Sequence, residues 1–520
     1  MPRARYLAVI ALVICLLPHA FAARKKTSAP ARLSHDIEAM LQDPDAARSF
    51  WGVSAMSLDS GQTLVAINAD KLFAPASNAK LFTTAAVFGL IGSDYRFKTT
   101  VESMGTLDKY GRLDADLVLV GRGDPNLSGR TLPYSMHTER KAPPIQVLQQ
   151  LADQLVQHGL KYVDGDVVAD DSYFVWERYS EGWSQDDLAR EWGAPVSALT
   201  INDNVIFVNI LPADRPGERA FLNITPFPEY YKIDNRVMTT PAGSEPRTVS
   251  INREPGSNLI TFWGNIPQDD PGFGEALAIE DPADFAARLL RELLEERGVT
   301  IYGRTRTRHT ELASTQTFSV TSLASGGGTT RPPSPTPLVL ASYQSQPIAE
   351  DLRVINKVSQ NLHAELMLRL LGKEKGTSGS IEGGLEVLRS FLITAGIQPD
   401  QFAFYDGSGL SREDLVTPHA IVQLLRYTGQ QPWGKAFAET LPVAGIDGSL
   451  SDRFRNTVAA GRVRAKTGSL THVYSLAGYA TTVSGDHIAF SIVTNDDTEP
   501  TKKALDRIDH IVLRLVEGGN

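Results

Sequence analysis

Cysteine is almost missing from this chain: among 520 residues only Cys15 occurs. It lies in an apolar N-terminal run, so once that run is removed no disulfide, thiolate nucleophile or Cys-ligated zinc is possible. Cys15 follows Val13-Ile14 in mid-run, which is poor context for lipidation. Positive charge is also in short supply. Lys and Arg number 51 against 60 Asp and Glu, a net charge of −9, whereas nucleic-acid binding needs concentrated cations, so no nucleic-acid partner is expected. Long apolar runs are absent too. No segment beyond the N-terminal one reaches the roughly 18 uninterrupted apolar residues that span a bilayer. His-Glu-x-x-His and Gly-x-Ser-x-Gly do not occur and the ten histidines are scattered, which removes the common zinc-peptidase and nucleophile-elbow patterns.

What is present starts with a leader. Arg3 and Arg5 precede twelve apolar residues, Tyr6 to Leu17; Pro18 breaks the run, and Ala20-Phe21-Ala22 has the small-x-small form of a cleavage site. The pattern predicts a signal peptide over 1–22, export, and no membrane anchor after cleavage. With 42% hydrophobic residues, the remainder has ample material for about three or four domain-sized units.

Strand and helix patterns divide the chain. Trp51–Leu58 and Thr63–Ile67 flank the turn Asp59-Ser60-Gly61, and a largely apolar helix follows from near Ser77. At the other end, Val473–Thr482 and His487–Thr494 read as paired strands, with a helix from about Ala504 to Leu515. The two ends therefore predict one antiparallel sheet covered by helices. Between them, helices at Ile145–His158 and Phe285–Arg297 each lead through a glycine into a short strand, a weak internal repeat. Residues 199–282 are richer in strand and turn residues. Gly326-Gly327-Gly328 to Pro337 reads as a linker; without strand and helix flanks it is not a phosphate loop. Arg122-Gly123-Asp124 spells an adhesion tripeptide but carries no other sign of that role.

Three segments carry chemistry. Ser77 and Lys80, three apart at a helix start, share one helix face. A serine hydroxyl needs a base, and a lysine can be that base if desolvation or a nearby cation lowers its pKa. Ser359-Gln360-Asn361 puts a hydroxyl and an amide two residues apart, able to relay a proton and hold a substrate amide. Lys466-Thr467-Gly468-Ser469 leads into the C-terminal strand pair; on an edge strand it can accept an extended peptide, with Lys466 supplying a cation and Gly468 leaving room for substrate. Singly, each has an ordinary alternative: an N-cap, a polar turn before a helix from Ala364, an exposed strand start. His363 reads as a helix-surface residue. In order, however, Ser-x-x-Lys, Ser-x-Asn and Lys-Thr-Gly form the motif set of penicillin-binding proteins and class A β-lactamases.

From about Trp51 onward the chain resembles the penicillin-binding D-alanyl-D-alanine carboxypeptidases of peptidase family S13, the penicillin-binding protein 4 or DacB type. Beyond the motifs, the resemblance rests on Ala74–Leu81, Gly121–Pro125, Gly193–Ala198 and Asp406–Arg412, and on the 282 positions from Ser77 to Ser359, a gap that fits the two domains this family inserts there. It implies an α/β (α+β) fold with a transpeptidase-like catalytic domain (28–95 and 338–520), an inserted domain II (96–198 and 283–320), an inserted domain III (199–282) and a linker at 321–337. It further implies that Ser77 attacks the D-Ala-D-Ala peptide bond, Lys80 takes its proton, Ser359 passes a proton to the leaving D-alanine and Asn361 orients the substrate amide. Lys466 and Thr467 hold the carboxylate side, and the N–H groups of Ser77 and Ser469 form the oxyanion hole. Asp170 and Arg412 match family residues that contact the stem peptide's diamino acid; Thr471 departs from relatives with a longer amide side chain. The implied partners are peptidoglycan stem peptides and β-lactams, with no metal or organic cofactor and a periplasmic location. A β-lactamase on the same scaffold and a non-catalytic peptidoglycan-binding scaffold remain the alternatives, as does the choice between carboxypeptidase and endopeptidase.

Overall fold

The computed structural model describes residues 29–134, 141–226, 228–312 and 336–518. The leader and its cleavage site, and residues 321–335 of the linker, lie outside the described residues.

The two chain ends share a five-stranded antiparallel sheet, in the order Thr63–Ile67, Phe50–Ser57, His487–Asn495, Val473–Thr481, Val463–Leu470. Phe50–Ser57 pairs with His487–Asn495 in unbroken register from Phe50↔Asn495 to Ser57↔Ile488. Both faces are covered, so the central strands read as near-continuous apolar runs rather than alternating ones. On one face Leu33 and Ile37 of Ala29–Leu41, with Ile508, Ile511 and Leu515 of Thr501–Glu517, pack on Val53, Leu476 and Phe490. On the other face Ile421 and Leu425 of Pro418–Gly429 join Ala477 and Ala489 in a core that also takes Leu81, Phe82 and Ala85. A Cβ on Gly52 would lie 2.5 Å from the Phe73 ring and 2.8 Å from Pro418, so the strand must be bare there. The final helix begins one turn earlier than its apolar pattern suggests, directly after Pro500. There the exposed Thr501-Lys502-Lys503 turn has no apolar residue to mark it.

The middle of the chain builds separate sheets. One has five strands in the order Thr305–Thr310, Val167–Val175, Leu117–Val120, Lys98–Ser103, Leu338–Gln344. The last strand corrects the sequence boundary at 338. It hydrogen-bonds to Lys98–Ser103, and Leu340 and Ala341 pack in the inserted core, so the chain re-enters the catalytic unit only after it. Residues 205–278 form two three-stranded sheets, one containing the parallel pair Lys232–Thr240 and Leu259–Pro267. Their core side chains Val208, Val237 and Phe262 are continuous with those of the inserted sheet. No helix of the described residues is long and apolar enough to cross a membrane.

The weak repeat has matching geometry in both copies. Helices Gln146–Gln157 and Pro282–Glu296 end at Gly159 (φ +91°) and Gly298 (φ +80°). Leu160 N–H bonds to Leu155 O at 3.1 Å and Val299 N–H to Leu294 O at 3.0 Å, the six-to-one bond of a left-handed helix stop. The short strands that follow, Tyr162–Val163 and Thr300–Ile301, then pair in parallel. A Cβ on Gly298 would meet nothing within 4 Å, so only backbone strain opposes one. Gly298→Ala is expected to cost about 1 kcal/mol of stability, read from urea unfolding; an unchanged midpoint would contradict the left-handed stop.

Candidate active site

The serine and lysine of the first motif meet because the chain turns sharply before the helix. Ala76 adopts φ +49°, a single 3-10 turn covers Ala76–Asn78, and the α-helix runs Ala79–Leu90. Lys80 thus sits in its first turn, and its Nζ lies 2.9 Å from Ser77 Oγ. Lys80 is fully buried while Ser77 is partly exposed. Two further acceptors take the remaining ammonium hydrogens: Asn361 Oδ1 and Ser408 O, each at 2.6 Å. Burial pushes the Lys80 pKa down to about 7, against the opposing pull of Asp406, Glu365 and Asp414. Near neutrality a large share is therefore uncharged amine, with a lone pair able to accept the Ser77 proton.

The segment Asp406–Arg412 forms the wall behind that lysine. The Asp406 carboxylate accepts from the N–H groups of Ser408, Gly409 and Ser411 at 3.0, 2.6 and 2.8 Å, and from Trp183 Nε1 at 2.9 Å. Thr83 Oγ1 donates to Gly407 O at 2.7 Å. Gly409 (φ +78°) lies where a Cβ would sit 1.9 Å from Ala76 O. These contacts hold Ser408 O toward Lys80. The sequence reading missed Ser408, because its contribution is a backbone carbonyl that no side-chain motif records; the Asp-Gly-Ser-Gly turn was the available signal.

The second and third motifs close the cluster. Ser359 is held at φ +66°, a strained conformation for a residue with a Cβ that costs about 1–3 kcal/mol. Its Oγ accepts from Lys466 Nζ at 2.8 Å, and Lys466 also donates to Thr467 O at 2.8 Å. Burial, and then the charge of Lys80, hold the Lys466 pKa well below its ordinary value. Asn361 stands in the first turn of the helix Asn361–Lys375, three residues before the predicted start. Its Oδ1 faces Lys80 and its Nδ2 donates to Trp192 O at 2.8 Å. Its amide thus orients the lysine in this structure.

The Lys-Thr-Gly segment does lie on the edge strand. The reason for Gly468 needs correcting: a Cβ there would come within 2.2 Å of Ser475 Oγ, 2.8 Å of Pro75 O and 3.1 Å of Ser77 N. The glycine makes room for the turn that carries Ser77 and brings Ser77 N–H against the strand beside exposed Ser469. Thr467 Oγ1 is 2.7 Å from Ser449 Oγ, a hydroxyl the sequence reading did not single out.

Three other expectations fare differently. His363 is not a surface residue: it is fully buried, with Nε2 3.2 Å from Asp203 Oδ1, because the helix carrying it packs on all sides. Asp170 is not brought into hydrogen-bond contact with the cluster; its carboxylate takes Arg308 Nη1 at 2.8 Å and Ser172 Oγ at 2.5 Å. Arg412 is exposed, and its backbone N–H donates to Gly182 O at 3.1 Å. Nearer the motifs, Asp187 Oδ1 accepts from the indole of Trp192 at 2.7 Å.

A cleft of about 680 Å³ opens beside the second motif, lined among others by Arg130, Trp192, Ser359, Asn361 and Ser449. A larger one of about 780 Å³, between Glu177–Glu181 and Phe402–Tyr405, contains none of the motif residues; chemistry rather than volume selects the site. Lysine-selective NMR should show Lys80 titrating near pH 7, with the uncharged form above it; a midpoint near the ordinary 10.5 would contradict this electrostatic account.

The chain is similar to known D-alanyl-D-alanine carboxypeptidases over most of its length. A D-alanyl-D-alanine carboxypeptidase of Actinomadura sp. (strain R39) is 33% identical over 496 residues, covering 93% of this chain and 84% of the relative. The carboxypeptidase DacB of Haemophilus influenzae is 26% identical over 463 residues, 87% and 88% of the two chains. The crystal structure of penicillin-binding protein 4 (dacB) from H. influenzae superimposes with a TM-score of 0.76 at 24% identity, over 93% of this chain and 99% of that one, so the fold is shared. A second crystal structure of that protein, complexed with a β-lactam, gives 0.69 at 23% identity, over 92% and 97%. The profile of the D-Ala-D-Ala carboxypeptidase 3 (S13) family matches residues 33–324 and 328–515, and the chain belongs to that family.

Proposed function

We propose that this protein is a serine-type D-Ala-D-Ala carboxypeptidase or endopeptidase that cleaves peptidoglycan stem peptides through an acyl-enzyme on Ser77 and is acylated by β-lactams. One observation carries the reading: a buried lysine amine of lowered pKa lies 2.9 Å from the only partly exposed Ser77 hydroxyl. Ser77 Oγ forms a bond to the carbonyl carbon while its proton passes to Lys80 Nζ. Collapse of the tetrahedral intermediate breaks the C–N bond, and the leaving amine takes a proton through Ser359 Oγ, hydrogen-bonded to Lys466. Water then hydrolyses the ester and frees Ser77. The N–H of Ser77, close to Gly468, and that of Ser469 are suited to stabilise the oxyanion. Lys466 and Thr467 flank the place for the substrate carboxylate. The crystal structure of the H. influenzae relative in complex with a β-lactam supports the same reading, since a strained lactam carbonyl is open to attack by a serine hydroxyl.

The leader supports export to the periplasm after cleavage at Ala22, and the chemistry of peptidoglycan lies there. The sheets inserted between the first two motifs form, in this reading, two units that complete the cleft.

Fluorescent penicillin should label the wild-type protein and not Ser77→Ala; equal labelling would refute the assignment. Lys80→Ala should slow acylation by roughly 10²–10⁴-fold, and the wild-type rate should rise as pH increases through about 7. Gly468→Ala should also suppress labelling, because its Cβ collides with Ser475 and the Ser77 turn. Digestion of purified cell-wall fragments separates carboxypeptidase from endopeptidase action: the first releases D-alanine, the second splits cross-linked dimers.

A further inference from the structure

The second motif is gripped by a residue far from it in sequence. Ser359-Gln360-Asn361 carries strain at Ser359, and no residue of the catalytic sheet bonds to the side chain of Gln360 among the described residues. Asp203, at the end of the inserted strand Leu199–Ile201, does so instead. Its Oδ2 accepts from Gln360 Nε2 at 3.1 Å and from Arg130 Nη2, and its Oδ1 faces His363 Nε2 at 3.2 Å. Gln360 in turn accepts from Leu362 N–H through Oε1 at 2.9 Å, so one end caps the helix and the other is tied to Asp203. One buried carboxylate thus binds side chains on both sides of Asn361.

Asp203 itself is held rigidly. Asn202, Asp203 and Asn204 all lie in the left-handed region, at φ +52°, +55° and +54°. Three consecutive non-glycine residues of this kind persist only where the surroundings over-determine them. Here Ile201 N–H bonds to Asn204 Oδ1, Asn202 Nδ2 to Val205 O, and Asn204 Nδ2 to Pro195 O. The same inserted stretch supplies Trp192 O to Asn361.

We infer that Asp203 is a positioning residue for acylation: through Gln360 and His363 it fixes Ser359 and Asn361, and hence the Lys80 and Lys466 hydrogen bonds, so the inserted segment completes the active site. This rests on the acyl-enzyme reading above. Asp203 acts through Gln360 and His363, setting the geometry of the motif residues beside them. Misplacement of such groups by about 1 Å can cost 10²-fold in rate.

The test is stopped-flow acylation by a fluorescent penicillin, resolving the dissociation constant of the pre-covalent complex from the acylation rate constant, with melting temperatures taken in parallel. Asp203→Ala should lower the rate constant at least tenfold while the dissociation constant stays within about twofold. Asp203→Asn, which keeps one acceptor oxygen, should recover part of the loss. Gln360→Ala should also lose rate, and its loss should not multiply with that of Asp203→Asn in the double variant, because the two act as one link. Wild-type rates in Asp203→Ala and Gln360→Ala, or losses that multiply, would overturn the proposal. If Asp203→Ala proves unfolded at the assay temperature, Gln360→Ala, whose side chain is half-buried, decides alone: a tenfold loss supports the link and a wild-type rate overturns it. A wild-type protein left unlabelled at Ser77 would instead indict the acyl-enzyme reading.

Discussion

An amine without water governs this structure. Lys80 is enclosed completely, and an ammonium in that setting would be costly unless its hydrogens were met and its charge compensated. Ser77 Oγ, Asn361 Oδ1 and Ser408 O meet the hydrogens, while the carboxylates of Asp406, Glu365 and Asp414 offset part of the desolvation. The compensation is incomplete, and that incompleteness is chemically useful: an amine that gives up its proton near neutrality is a base. Each neighbour that solvates Lys80 therefore also sets how readily it gives up its proton. The loop around Asp406 contributes both a carbonyl, Ser408 O, and a nearby negative charge to that balance.

A second amine sharpens the balance. Lys466 is buried as well, and the charge of Lys80 disfavours its own. Two lysines in one dry pocket cannot easily both be protonated, so a proton gained by one weakens the hold of the other on its own proton, and Ser359 lies against that second amine. In the reaction proposed above, this arrangement would link the proton accepted during attack to the one donated during departure.

Bringing these groups together requires closing a very long loop. The entropic cost of closure grows only logarithmically with length, and the intervening chain is folded rather than slack. Its sheets share one apolar core, and the turn at Asn202–Asn204 that ends one of its strands reaches into the second motif. The insertion is thus continuous with the architecture of the cleft.

Much of this was legible in the residue order. Apolar runs at both ends marked a common sheet, glycines after two helices marked their stops, and the spacing of Ser77 and Lys80 marked a shared helix face, because these depend on local periodicity and backbone freedom. The ordered motifs pointed to the chemistry by a different route, their resemblance to the motif set of penicillin-binding proteins. Other features were hidden. The edge strand Leu338–Gln344 looked like part of the catalytic unit until its partner was known. Gly468 looked like room for substrate until Ser475 and Ser77 N were found against it. His363 looked superficial, Ser408 lay in a family-like turn with no role of its own, and Asp203 carried no signal at all. Each of these depends on what a distant segment places nearby. Burial, and with it the lowered pKa of Lys80, is likewise a property of the assembled neighbourhood. Sequence alone determined which functional groups the protein has and in what order; tertiary packing decided which of them lose water and which face each other, because desolvation and hydrogen-bond geometry exist only once the chain has folded.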